Sequence, residues 1–301
     1  MENKINGCIN ILSSRHKCLP TCLKTMHEFW NKRYDYPVYV HYFDDIYDNE
    51  DYRSWLRSNV SENIHFISIP YSTPAFLDEK ELFYNRTNIP YVRSGFTVKR
   101  KGYLHMSNFY NNLYKYPETK LHNHDYMLSV DDESIFLKEV PYDFFEVLAG
   151  MEDEMAGAIK VTYPHIKKPH EGNFQTRIGM MDHVADYVEK FNLEHKCEFI
   201  KNIVEKRDEK YFHKNFIFSD SYVFKMKLFE TEEWKQWNKF LNESGGVYKF
   251  RWGDHELNSL FYHVHYGRHV YDFKTVDEGY HNQSALRGIQ DLAPGVKDSK
   301  A

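Results

Sequence analysis

The residues best suited by type to do chemistry are three consecutive carboxylates, Asp131, Asp132 and Glu133, which follow a short apolar run, Tyr126-Met127-Leu128-Ser129-Val130. Hard divalent cations take oxygen ligands, so acids at a strand end can hold Mg2+ or Mn2+, and such an ion neutralises a departing diphosphate. If strand geometry continues through the triplet, Asp131 and Glu133 face the same way. The same three residues also suit a solvated turn before a helix, and composition alone favours that. Two other places can meet an anionic ligand. Arg15 directly follows the first apolar strand, at a turn that borders the usual cleft of an open α/β sheet. Arg251-Trp252-Gly253-Asp254 opens a late helix, where Arg251 can pair with a phosphate or with Asp254, Trp252 can stack on a sugar or fill the core, and Asp254 is placed to cap the helix.

The elements that must position these residues follow from periodicity. Gly7 to Leu12 reads as a buried strand, and Leu19, Leu23, Met26 and Trp30 then recur at helical spacing. Pro37 to Phe43 is a second strand, Tyr52 to Ser58 a short helix, and His65 to Ile69 a third strand. That alternation predicts an α/β fold with a mixed, mostly parallel sheet and crossover helices. Prolines and Gly95 mark residues 70 to 100 as a long loop. A helix is expected over 101–116, the acidic strand at 126–130, a helix over 141–148, a strand over 156–163, mostly helix from 177 to 207, and a short strand at 215–218. Thr231 opens a charged amphipathic helix that Gly245-Gly246 closes. One domain over 1–285 is expected, with a polar tail at 286–301.

Bulk properties exclude some partners. Net charge is −5 with dispersed basic residues, which leaves no electrostatic footprint for duplex nucleic acid. No run approaches the roughly 18 apolar residues of a membrane span. Aromatics reach 17%, with 24 Tyr and 22 Phe, which suits ring-shaped ligands as well as a core. The four cysteines, Cys8, Cys18, Cys22 and Cys197, are expected to be free and mostly buried. Sequons begin at Asn59, Asn85, Asn242 and Asn282, and matter only in a secretory lumen.

Several segments together resemble a known family. Tyr103-Leu104-His105-Met106-Ser107-Asn108-Phe109-Tyr110, the acidic strand, and Ser244-Gly245-Gly246-Val247-Tyr248-Lys249-Phe250-Arg251-Trp252-Gly253-Asp254 resemble the yeast-type Golgi alpha-1,2-mannosyltransferases, glycosyltransferase family 15. Leu12-Ser13-Ser14-Arg15, Tyr36-Pro37 and Asp277-Glu278-Gly279-Tyr280-His281 are similar too, so the likeness runs over most of residues 6 to 282. The resemblance implies a GT-A fold, GDP-mannose as donor, a glycan hydroxyl as acceptor, Mn2+ with Mg2+ as an alternative, and transfer with retention of configuration. It also implies the Golgi lumen as the compartment, reached in that family through an N-terminal membrane helix, whereas this sequence begins almost at its first strand.

Residue by residue, the resemblance sets Asp131 and Glu133 on the family's Glu-Pro-Asp metal motif. Tyr103 falls on a tyrosine close to the donor, and Arg15, His105, Asp131, Arg251 and Asp254 join it as donor-binding residues. Two positions depart. The family's proposed catalytic glutamate falls on Tyr222, and Asp220, on the same side of a strand, is the carboxylate that can replace it. The family's metal-ligating histidine falls on Asn258, with His255 one helical turn earlier as the alternative ligand. His263 and His265 read as bystanders. These departures leave two other functions open: the same fold with a different nucleotide-sugar donor, and a catalytically silent carbohydrate-binding protein.

Overall fold

A computed structural model describes residues 5–43, 47–71, 73–83, 101–159, 178–207, 221–275, 278–282 and 286. Its centre is a seven-stranded sheet built from β1 (Gly7–Leu12), β2 (Val38–Tyr42), β3 (Ile64–Ser68), β4 (Tyr126–Ser129), β6 (Ala156–Ala158), β7 (Tyr222–Lys225) and β8 (Tyr271–Asp272). The spatial order is β3-β2-β1-β4-β7-β6-β8. β3, β2, β1 and β4 run parallel, β7 is antiparallel to both β4 and β6, and β8 runs parallel to β6. The expectation of a mixed, mostly parallel sheet holds. Two short strands, β5 (Ile135–Phe136) and β9 (His281–Asn282), form a separate ribbon just beyond the acidic triplet.

Period-two alternation decides what each face of the sheet carries. Ile9, Ile11, Val38, Val40, Leu128 and Val130 point to one core, closed by the Leu19–Phe29 helix through Leu19, Cys22, Leu23 and Met26. Cys8, Leu12, Tyr39 and Met127 point to the other, beneath the Lys101–Asn111 and Asp254–Tyr266 helices. Asn10, His41 and Ser129 share that second face and are buried polar residues within it.

Local chemistry sets the element ends. Asn49 accepts from the Tyr52 amide and starts the Glu50–Asn59 helix; Thr231 does the same for Trp234 and the Glu232–Ser244 helix. Gly245, at φ +67°, ends that helix in the left-handed region, as its position in the sequence requires. The helix expected to reach residue 116 stops at Asn111 and gives way to a 3-10 turn, Leu113–Lys115. The Asn111 and Asn112 amides turn back onto the carbonyls of Ser107 (2.8 Å) and Asn108 (2.9 Å), competing with helix continuation. The cysteines are free. Asn242 is half-buried and bonded to Asn112 and Asn238, so that sequon is part of the packing. Most of the 70–100 loop, residues 160–163 of the strand expected over 156–163, the strand expected at 215–218, and the tail from residue 287 lie outside the described residues; the described part of the 156–163 strand is β6.

Candidate active site

The sheet order reverses between β1 and β4, because β2 and β3 lie on one side of β1 and β4 on the other. That makes the C-terminal ends of β1 and β4 a topological switch point, the place where open α/β sheets bind ligands. β1 delivers Ser13, Ser14 and Arg15 there; β4 delivers Asp131, Asp132 and Glu133. β7 arrives antiparallel and sets Tyr222 opposite Ser129.

The three acids do not behave as strand residues. β4 ends at Ser129, and the chain folds into a turn in which the Ser134 amide donates to the Asp131 carbonyl (3.1 Å). Asp132 and Glu133 are consequently buried together, at 1% and 2% exposure, while Asp131 is half-buried. Asp132 Oδ2 accepts from Ser13 Oγ (2.7 Å), the Ser14 amide (3.1 Å) and the Arg15 amide (3.0 Å). The Arg15 guanidinium lies 2.5 Å from Asp132 Oδ1 and 3.5 Å from Glu133 Oε2. The expectation that Asp131 and Glu133 share a face is therefore corrected. The triplet is a turn, so period-two alternation does not apply, and Glu133 sides with Asp132 in gripping Arg15.

Asp131 instead stands between two spaces. One is a cavity of about 250 Å3 whose polar wall is Ser13, Ser14, Arg15, Tyr103 and Asp131, and whose apolar wall includes Phe43, Tyr71 and Met106. The other is a gap of about 20 Å3, bordered by Ser129, Asp131, Tyr222, Asp254, His255 and Asn258. That volume accepts roughly one water-sized species. His255 Nδ1 lies 3.6 Å from Asp254 Oδ2, and the His255 ring stacks on Tyr222 at 6.0 Å and 24°.

The donors around the gap, two carboxylates, an imidazole and an amide, match the chemistry of a cation such as Mn2+. Among the described residues no group of three or more His, Cys, Asp or Glu side chains is arranged as a metal site, and the Asn258 amide borders the gap beside Asp131, Asp254 and His255. Glu133 is not among the residues bordering the gap.

The Arg251-Trp252-Gly253-Asp254 segment supplies the far wall. Arg251 holds φ +61°, in the left-handed region, and its guanidinium carbon sits 3.7 Å from the centre of the Tyr103 ring. Burial pushes the Tyr103 phenol above the ordinary tyrosine range; Arg251 opposes the shift, and Asp254, Glu256 and Asp131 add to it. Tyr103 is thus a neutral hydrogen-bond donor. Trp252 belongs to the core: its Nε1 donates to the Ile178 carbonyl (2.9 Å), and it fills the space where a side chain on Gly246 would go, 2.0 Å from an added Cβ. The helix cap is Gly253 rather than Asp254, because Gly253 takes the extended cap conformation and Asp254 is already the first helical residue. Asp254 borders the gap. His105 is buried, with Nδ1 3.3 Å from the Tyr248 hydroxyl and its ring 4.5 Å from Tyr71, behind the cavity wall. Asp220 lies outside the described residues.

Comparison with known proteins decides the family. The model of the family described as glycolipid 2-alpha-mannosyltransferase matches residues 1–290. The chain belongs to that family. It is 20% identical over 284 residues to Probable mannosyltransferase MNT3 of Candida albicans, covering 92% of this chain and 69% of that protein. Among solved structures it resembles the mannosyltransferase Ktr4p of S. cerevisiae in complex with GDP, at TM-score 0.65 and 20% identity over 86% of this chain and 66% of that one. It also resembles the Mn/GDP form of core-mannan synthase A from Aspergillus fumigatus, at TM-score 0.69 and 14% identity over 90% and 73%. The chain spans just under two thirds of the length of Ktr4p. These likenesses show a GT-A-like fold.

The two positions at which the sequence was expected to depart from the family, Tyr222 and Asn258, border the same small gap together with Asp131 and His255. Sequence reasoning gave Asp132 no role apart from its neighbours and did not single out Ser129 or Tyr110, which both border the gap. Asp132 was overlooked because strand alternation was carried past the end of β4. Ser129 and Tyr110 are ordinary in type, and only the topology brings them to Asp131. The Ser13-Ser14 pair after the first strand was the available signal for the Asp132 anchor.

Proposed function

We propose that this chain transfers mannose from GDP-mannose to a hydroxyl of a glycan acceptor, with retention of anomeric configuration and a divalent metal at the diphosphate. The observation that carries the reading is the position of Asp131, shared between the 250 Å3 cavity at the switch point and the 20 Å3 gap bordered by Asp254, His255 and Asn258. A donor in the cavity sets its diphosphate beside Asp131. Asp131 would hold Mn2+, or Mg2+, with oxygen or nitrogen from Asp254, His255 and Asn258. Such an ion supplies charge neutralisation for the leaving diphosphate.

The chain's own residues do the rest by positioning. Arg15, fixed by Asp132 and Glu133, keeps outward N–H groups at the cavity wall, where they meet a phosphate oxygen. Tyr103, neutral and braced by Arg251, donates to a phosphate or to the transferred sugar. Tyr222 offers no carboxylate for attack on the anomeric carbon, which supports direct attack by the acceptor on the face that the leaving group vacates, with Asp220 as the carboxylate within two residues. The Golgi lumen is the proposed compartment, following the family; among the described residues no helix is long and apolar enough to cross a membrane.

The test is transfer and hydrolysis with a panel of nucleotide sugars and Mn2+, comparing wild type with Asp131→Ala. Activity with GDP-mannose that disappears in the variant supports the reading. The Tyr222 and Asn258 departures favour two further outcomes: turnover with another donor only, which moves the specificity, and sugar binding without turnover, which makes the chain a silent binder. Activity unaffected by chelation removes the metal role from Asp131.

A further inference from the structure

Two sequons fall at the ends of described helices, and their surroundings differ. Asn59-Val60-Ser61 starts at the last residue of the Glu50–Asn59 helix, and Asn242-Glu243-Ser244 is the last stretch of the Glu232–Ser244 helix. Asn85, and Gln283-Ser284 after Asn282, lie outside the described residues.

Asn59 is exposed, and Val60 and Ser61 have already left the helix. Its Nδ2 donates to the Trp55 carbonyl at 2.8 Å. A side-chain amide has two N–H groups, and an N-linked glycan replaces one hydrogen. The remaining one keeps the Trp55 bond, so a modified Asn59 fits the fold unchanged. Asn242 is half-buried and uses Nδ2 in two directions, toward Asn112 Oδ1 at 2.9 Å and toward the Asn238 carbonyl and Oδ1 at 2.6 and 2.7 Å. Asn112 Nδ2 returns a bond to Asn242 Oδ1 at 3.2 Å. Asn112 and Asn238 are 4% and 1% exposed, so both hydrogens on Asn242 face buried acceptors, and a sugar there would part the helix from the turn after Asn111. Ser244 is engaged too, its Oγ donating to the Leu241 carbonyl (2.7 Å) and accepting from the Gly246 amide (3.0 Å).

We propose that the folded protein carries an N-linked glycan on Asn59 and none on Asn242. In the step, Asn59 Nδ2 attacks the anomeric carbon of an oligosaccharide held on a lipid diphosphate. The C–N bond forms, the sugar–phosphate C–O bond breaks, Nδ2 gives up a proton, and the lipid diphosphate leaves. This transfer meets the chain before it folds, so the fold acts as the filter: a chain modified at Asn242 cannot close the contact with Asn112 and Asn238. The proposal rests on the luminal compartment proposed above. β3 begins at Ile64, soon after Asn59, and runs parallel to β2 and β1, which sets Asn59 at the N-terminal ends of these strands. The candidate site lies at the opposite, C-terminal ends, so the glycan leaves it open.

The test sends the full chain into the secretory lumen of yeast behind a cleavable signal. The secreted, folded protein is mapped by mass spectrometry after peptide N-glycosidase treatment in heavy-oxygen water, which marks each asparagine that carried a glycan. The map is expected to mark Asn59 and leave Asn242 unmarked, and Asn59→Gln and Ser61→Ala are each expected to remove the same mass. Folded protein unmarked at Asn59, or marked at Asn242, overturns the proposal. A mass that survives Ser61→Ala belongs to a different modification and also overturns it. If little folded protein is secreted, Ser244→Ala removes the second sequon while keeping Asn242, and Asn59 is read there in the same terms. Marking at Asn59 behind the signal, but not on the protein recovered from its own cells, overturns the luminal compartment and leaves the site standing.

Discussion

Arg15 and Asp132 meet at 2.5 Å across the ends of two adjacent parallel strands, and the same carboxylate takes the Ser13 hydroxyl and two backbone amides. The middle acid of the triplet is thus an anchor that holds the β1 and β4 turns in register. Its neighbour Asp131 faces the cavity and the gap. Two adjacent aspartates should therefore fail differently. Asp132→Ala strips an acceptor from buried donors and is expected to cost about 2–4 kcal/mol of stability; the half-exposed Arg15 can turn to water, which keeps the loss below that of a fully buried pair. Asp131→Ala should stay within about 1 kcal/mol of wild type while losing Mn2+ binding and transfer. Urea unfolding and activity measured on both variants check this, and equal destabilisation by the two contradicts it.

Gly246 exists for Trp252. An added Cβ would lie 2.0 and 2.1 Å from two indole carbons, and the indole cannot retreat while its N–H is held by Ile178. Gly246→Ala is expected to lose about 1–3 kcal/mol through overpacking, with a shift in tryptophan emission. Pairing it with Trp252→Phe should return part of the loss, since the smaller ring yields space. A double variant that is simply additive argues against direct contact.

Much of this fold is written in periodicities. The β1 to β3 alternation, the helices between them and the Thr231 and Gly245 caps follow from local rules, and the structure keeps them. The site is less legible, for a physical reason. Asp131, Ser129, Asp254 and Asn258 come from two distant segments, and what joins them is the packing of the Asp254–Tyr266 helix on the second face of the sheet at the end of β4, which no local pattern encodes. The charge state of the site is equally non-local: Arg15 reads in sequence as a cation placed to meet an anionic ligand, and in the structure Asp132 and Glu133 already hold it. Where sequence reasoning failed, at the faces of the triplet, it had extended a strand one turn past its end.

Asn258 gives a direct probe of the gap. Asn258→Asp preserves shape and adds a third carboxylate beside Asp131 and Asp254. Without metal, like charges repel and the unfolding midpoint should fall; with Mn2+, the extra anionic ligand should tighten binding on the order of ten-fold and enlarge the metal-induced rise in the midpoint. The signature is opposite shifts in one protein. A lower midpoint in both conditions would place the cation elsewhere.

Buried histidines set the acid limit of the fold. Burial lowers His41 to about 3 and His183 and His265 to about 4, from an ordinary value near 6.5. In each case the unfolded chain binds the proton first. Stability is fully present above about pH 6.5 and is lost as pH falls from there toward the folded values, by up to about 1.4 kcal/mol per pH unit per group. Asp143 and Glu154, raised by burial, act in the opposite sense, but only in a window beginning near the ordinary carboxylate range. Chemical unfolding between pH 7 and pH 5 should therefore show a steep loss of stability, with His41, His183 and His265 each contributing close to one proton taken up on unfolding near pH 5. His183 stacks on Phe240, at 4.4 Å, and packs against the tilted ring of Trp252, at 5.0 Å, so His183→Phe keeps the ring contacts while removing one titrating group. Its pH dependence should be shallower by close to one proton, and a slope identical to wild type would show that His183 takes no part in the acid limit.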